Sequence, residues 1–168
     1  MSKISVLMSV YKKENPEYLR ASLESILVQT RTADEILLIE DGPLTQELYQ
    51  VVAEYQKKCD YLHVHAMEQN VQLGRALAKG VELCQYDLIA RMDTDDIAMP
   101  DRLEKEGAYM EAHPEVDVVG GAIREFNDEG TIDRVKNMPK TQEAILEYVK
   151  VRNPLNHMTV MYRKDSIL

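Results

Sequence analysis

Three carboxylates, Asp93, Asp95 and Asp96, crowd together where a short, mostly apolar run, Leu88 to Met92, gives out. Like charges at that spacing repel unless something positive sits between them. Hard divalent cations such as Mg²⁺ and Mn²⁺ take oxygen ligands and commonly share them with phosphates. The loop therefore reads as a place for a metal ion and a phosphate. Taken alone it also fits a solvated acidic turn ahead of the next helix, since helix electrostatics favours Asp in a first turn. An EF-hand fits poorly: counted from Asp93, the glycine position holds Ala98, although the twelfth position is Glu104.

The surrounding elements can be read in order. Ile4 to Val10 is a buried strand, and Asn15-Pro16 offers an N-cap followed by proline at the first helical position. Leu19, Leu23, Ile26 and Leu27 stripe the first helix, which Thr30-Arg31-Thr32 breaks. Glu35 to Glu40 is a second strand ending at Asp41-Gly42-Pro43; Leu48, Val51, Val52 and Tyr55 mark a second helix; Leu62 to His65 is a third strand. In the third helix Leu73, Ala76, Leu77, Gly80, Val81 and Cys84 share one face. Gly74 and Gly80 cost that helix stability, so either a neighbour approaches closely or the helix starts near Gly74. Pro100 is expected to start a fourth helix that ends before His113-Pro114, and Val116 to Ile123 a fifth strand. A hairpin around Asp128-Glu129-Gly130, a short helix over 141–150 and a last strand from Met158 to Tyr162 complete the chain.

Strand and helix alternate, which predicts an α/β domain with a mostly parallel central sheet flanked by helices. In such sheets ligands sit at the carboxyl ends of the strands. Ser9, Tyr11, Asp41, Asp93, Asp95 and Asp96 all fall at or just beyond those ends. Three strands delivering polar groups to one edge is hard to explain by solvated turns.

The 168 residues suit one domain with a substantial core. A net charge of −9 argues against nucleic acid as the main partner, because phosphate backbones are held by Lys and Arg clusters. A small phosphorylated ligand stays open, since one metal ion offsets its charge locally. No apolar run is long enough to span a membrane, and Met-Ser-Lys leads straight into a strand rather than a signal sequence. Cys59 and Cys84 lack metal-motif spacing and are expected on helices as reduced thiols, which makes zinc a poor fit and points to a cytoplasmic protein.

Taken together, Ser5-Val-Leu-Met-Ser-Val-Tyr11, Ser22 to Thr30, Glu40-Asp-Gly42, Asn70 to Gly80, Ala90-Arg-Met-Asp-Thr-Asp-Asp96, Met99 to Leu103, Val118-Val-Gly-Gly121 and His157 to Arg163 resemble the family 2 glycosyltransferases. These are GT-A-fold enzymes of bacterial polysaccharide and glycolipid assembly. The resemblance implies a nucleotide-sugar-binding domain over residues 1–168. Ser9, Tyr11 and Asp41 would hold the base of a nucleotide-sugar donor, with UDP favoured by family frequency. Asp41 also fits a plain turn residue before Gly42-Pro43. Asp93-Thr94-Asp95 matches the family's Asp-x-Asp, with Asp93 near the donor ribose or the metal and Asp95 on a Mn²⁺ or Mg²⁺ ion that bridges the diphosphate. Asp96 would stand behind the metal or cap the next helix. Gly74, Arg75 and Lys79 would lie near the donor, Arg91 is open between that role and a structural pair with a carboxylate, and His157 would complete the metal shell or touch a phosphate.

What the resemblance implies is inverting transfer of a sugar to a saccharide or lipid-linked acceptor. Inversion needs a general base, typically Asp or Glu, and family members carry it beyond the segment matching His157 to Arg163. The base is thus expected past Leu168, together with the acceptor-binding part and any contact with the inner membrane face. Two other classes stay open. A sugar nucleotidyltransferase would normally show a glycine-rich loop after the first strand, and Ser9 to Glu14 contains no glycine. A non-catalytic metal- or nucleotide-binding module would use the acidic loop structurally.

Overall fold

The computed structural model describes residues 1–127 and 132–168. Four parallel strands form its centre: β1 (Ile4–Val10), β2 (Glu35–Glu40), β3 (Leu62–Ala66) and β4 (Leu88–Asp93). They stand in the order β3-β2-β1-β4, and the sheet continues through two short strands, β8 (Met161–Arg163) and β5 (Val118–Val119). β8 runs antiparallel to both β4 and β5. The expected α/β architecture with a mostly parallel sheet is what the chain adopts.

Side chains alternate across a strand, so β1 feeds two cores at once. Ile4, Val6, Met8 and Val10 pack with α1 (Pro16–Leu27), α2 (Gln46–Lys58) and α4 (Arg102–Ala112), while Leu7 packs with α3 (Leu73–Leu83) on the other face. A strand covered on both faces has little use for polar residues, which is why β1, β2 and β4 read as nearly continuous apolar runs. Helix starts follow the side-chain chemistry: Asn15 accepts from the Glu17 amide ahead of α1 at 2.9 Å, and Thr45 accepts from the Leu48 amide ahead of α2.

Boundaries late in the chain depart from the expectation. Pro100 does not start α4; it sits in a turn, and the helix begins at Arg102, whose amide donates to the Met99 carbonyl at 3.0 Å. The strand expected over 116–123 is two pieces, β5 and β6 (Ile123–Phe126), because Gly121 turns its amide to the Thr159 hydroxyl at 2.9 Å instead of a strand ladder. β6 pairs with β7 (Ile132–Lys136) as the expected hairpin, whose tip at Asp128-Glu129-Gly130 lies outside the described residues. After α5 (Gln142–Tyr148), residues His157–Thr159 form a 3-10 turn rather than the start of the last strand. Cys59 and Cys84 are the residues that close α2 and α3, both buried and both free. Burial pushes the Cys84 thiol up to about 12, so it stays protonated and unreactive at neutral pH.

The two glycines of α3 have opposite reasons. Gly80 lies against the β-sheet, and a Cβ there would run into Leu7 and come within 3.2 Å of Ile39. Gly74 faces open space at the helix start, and Leu73 beside it is exposed rather than part of the buried stripe. Gly80→Ala is therefore expected to destabilise the fold by about 1–3 kcal/mol through overpacking, offset in part by helix propensity. Gly74→Ala should be neutral or stabilising by at most about 1 kcal/mol. Urea unfolding of the two variants, compared at equal m-value, checks the contrast.

Candidate functional site

β2, β1 and β4 lie side by side, with Ser9 of β1 in register with Asp93 of β4 and Asp41 directly beyond β2. Their carboxyl ends open into one cleft of about 430 Å³. Ser9, Tyr11, Asp41, Asp93, Asp95 and His157 line it, together with Glu14, Asn70, Gln72, Leu73 and Thr94. Gly74 and Lys79 are not among the lining residues, and the Lys79 ammonium is spent on Glu82 at 2.9 Å.

The acidic loop forms one wall. Asp93, Asp95 and Asp96 can each present a carboxylate oxygen within 4.8 Å of the others. Such an all-oxygen set fits a hard divalent cation. Asp96 belongs to this cluster and does not cap α4, which starts six residues later. Its burial, reinforced by Asp93 and Asp95, raises its carboxyl to about 6. Arg91, buried behind the loop, donates through Nη2 to Asp93 Oδ1; among the described residues its Nε and Nη1 have no hydrogen-bond partner. The other oxygen of Asp93 faces His157, whose Nδ1 stands 3.9 Å away at the exposed lip.

What holds the loop in place comes from α1 and from the residues just beyond its end. The Ser22 hydroxyl donates to the Asp93 carbonyl at 2.8 Å, and the Ser25 hydroxyl accepts from the Ala98 amide at 3.0 Å. Gln29 donates to the Met99 carbonyl at 2.8 Å and accepts from the Leu103 amide at 3.0 Å. All three side chains are buried. Ser22 and Ser25, three residues apart, share one side of α1, and Gln29 follows directly beyond the helix's C-cap, Val28. In the sequence the apolar stripe of α1 stands out, whereas the polar Ser22, Ser25 and Gln29 carry no periodic signal of their own.

Asp41 forms the opposite wall. Its carboxylate is buried and accepts from Asn70 Nδ2 at 2.9 Å and from the Val71 amide at 2.6 Å. Gly42 must be glycine for this clamp: its φ is +83°, and a Cβ would lie 2.6 Å from the Asn70 nitrogen. The clamped segment ends at Gln72, whose φ of 72° with ψ of 153° is a conformation otherwise almost confined to glycine. Strain of that kind persists where surrounding contacts enforce it, and here it lies on the cleft wall. Between the walls Tyr11 is 44 % exposed and leaves its ring open to a flat ligand.

The family profile for glycosyl transferase family 2 matches residues 5–167. The chain belongs to the family 2 glycosyltransferases. Among curated relatives it is similar to the amylovoran biosynthesis glycosyltransferase AmsE of Erwinia amylovora, with 44 % identity over 98 % of this chain and 61 % of that protein. The UDP-Gal:alpha-D-GlcNAc-diphosphoundecaprenol beta-1,3-galactosyltransferase of Escherichia coli is 35 % identical over 99 % of this chain and 60 % of its own length. The chain thus spans about three fifths of these family 2 relatives. Among solved structures, S. aureus TarS 1-349 in complex with UDP-GlcNAc superposes with a TM-score of 0.73 at 21 % identity, over 96 % of this chain and 45 % of that one. A mannosyltransferase from Pyrobaculum calidifontis, solved with GDP-Man and Mn²⁺, gives a TM-score of 0.65 at 16 % identity, over 74 % of this chain and 36 % of that one. Both share the fold seen here.

The raised carboxyl of Asp96 carries a sign. A carboxylate binds a cation only when ionised, so Mn²⁺ affinity should fall as pH drops from 7 to 5, through the value of about 6 for Asp96. Each such group contributes at most about tenfold per pH unit. Asp96→Asn should flatten that dependence, measured by calorimetric Mn²⁺ titration at pH 5, 6 and 7.

Proposed function

We propose that this cleft holds the nucleoside diphosphate of an activated sugar, UDP in the first place, for transfer with inversion to a saccharide or lipid-linked acceptor. The observation that carries the reading is the convergence of three strand ends on one cleft, with a triple-acid loop on one wall and an exposed tyrosine between the walls. Support comes from the UDP-GlcNAc complex of the TarS neighbour and from the galactosyl donor and lipid diphosphate in the name of the Escherichia coli relative.

Each residue then has a task. The Tyr11 ring stacks on the base. Asp41, already spanning Asn70 and Val71, orients that wall and offers its remaining lone pairs to a base N–H. Asp93, Asp95 and Asp96 hold a divalent ion, Mn²⁺ or Mg²⁺, which when bound supplies Lewis-acid offset of the charge on the leaving diphosphate. Arg91 keeps one oxygen of Asp93 engaged and leaves the other toward the cleft. His157, at the lip, donates a hydrogen bond to a phosphate oxygen.

In the reaction the acceptor oxygen attacks the anomeric carbon, the bond from that carbon to the diphosphate oxygen breaks, and the acceptor's proton passes to a base. We place that base, with the acceptor-binding part, outside residues 1–168, in the length by which the relatives exceed this chain. No helix among the described residues is long and apolar enough to cross a membrane.

Calorimetry with UDP should show Mn²⁺-dependent binding that Asp95→Ala weakens at least about tenfold, or about 1.4 kcal/mol. Failure of both UDP and GDP to bind in the presence of metal refutes the donor site. The 168-residue chain alone should transfer sugar from UDP-sugars to added acceptors slowly or not at all, and robust turnover would refute the placement of the base.

A further inference from the structure

We propose that Glu14 is a positioning residue that links the two working parts of the cleft through Thr94, so that occupancy of the acidic loop is transmitted to the turn carrying Tyr11. The proposal rests on reading the acidic loop as a cation site.

Thr94 sits between Asp93 and Asp95 in the cleft wall, and it is buried, 3 % exposed. Its hydroxyl donates to Glu14 Oε2 at 2.6 Å; the Ser9 carbonyl, at 3.4 Å, is a poorer second acceptor. A hydroxyl has one proton to give, so the short contact to Glu14 is the one it makes.

Glu14 is tied on its other side as well. Its Oε1 accepts from the Asn15 amide at 2.8 Å, and its own amide donates to the Tyr11 carbonyl at 3.0 Å, closing the turn that presents Tyr11. Asn15 in turn caps α1. One carboxylate therefore gathers the hydroxyl of Thr94, 80 residues away in sequence, and the amide of its neighbour Asn15. A carboxylate suits this place because both oxygens must accept; glutamine offers one acceptor and sets an amide NH₂ against the other donor. Any shift of residues 93–95 on closing around an ion pulls directly on the turn.

Hydrogen exchange with Mn²⁺ alone tests the link without any nucleotide. In the wild type and in Thr94→Ser, which keeps the hydroxyl, Mn²⁺ should slow exchange at the Glu14 amide about fivefold or more, the lower end of common coupling factors. In Thr94→Val, which keeps the shape and loses the proton, the slowing should stay within residues 93–97. Glu14→Ala makes the same comparison from a half-exposed position should Thr94→Val not fold. Undiminished slowing at residue 14 in Thr94→Val or Glu14→Ala overturns the proposal. So does a wild-type turn that ignores Mn²⁺, whether or not residues 93–97 respond. Nucleotide binding plays no part in this readout, so failure of UDP to bind refutes the donor reading separately.

Discussion

Repulsion among three carboxylates is the constraint this molecule is built around. Two ionised groups 4.8 Å apart oppose each other by about 3 kcal/mol at an effective dielectric of 20. A free loop would relieve that by spreading. This one is held by four side-chain contacts from Ser22 and Ser25 of α1 and Gln29 just beyond it, each a hydrogen bond worth about 1 kcal/mol net. One buried guanidinium, Arg91, stands behind it. Asp96, raised first by its burial and then by Asp93 and Asp95, holds its proton to about pH 6. The arrangement leaves a site whose remaining charge is best answered by a cation from outside.

The sheet does the rest by adjacency. Parallel strands β2, β1 and β4 end at the same edge, so anything attached to those ends shares a cleft without further design. Residues 69–72 reach that edge only because Gly42 lets them pass and Asp41 pins them, leaving Gln72 in an unfavourable backbone conformation. The strain is local, of the order of 1–3 kcal/mol, and buys a wall facing Tyr11.

Much of this was legible in the sequence, and the gaps have physical causes. Both-sided burial made β1, β2 and β4 plain, and the rule that ligands sit at strand ends gathered Ser9, Tyr11, Asp41, Asp93 and Asp95 before any geometry was known. Glu14 carried no signal because it lies in a polar connection where no periodicity marks one residue over another, and Asn70 stood out only as the start of the stretch to Gly80. Thr94 was read as a spacer between two acids. The boundary at Gly121 depends on Thr159, a partner 38 residues away that no local pattern announces. Lys79 was placed near the donor by resemblance, whereas its own helix supplies the carboxylate that occupies it.

The contacts from α1 have one more consequence. Ser22 and Ser25 are buried on a helix whose apolar side lies in the main core with Leu19, Leu23 and Ile26, and Gln29 is buried directly beyond that helix's end. A loop anchored to such a helix has no separate melting event available to it. Surface loops commonly open at a small fraction of the global unfolding free energy, but this one comes apart when α1 leaves the sheet. The most charged segment of the cleft therefore shares the cooperativity of the hydrophobic core.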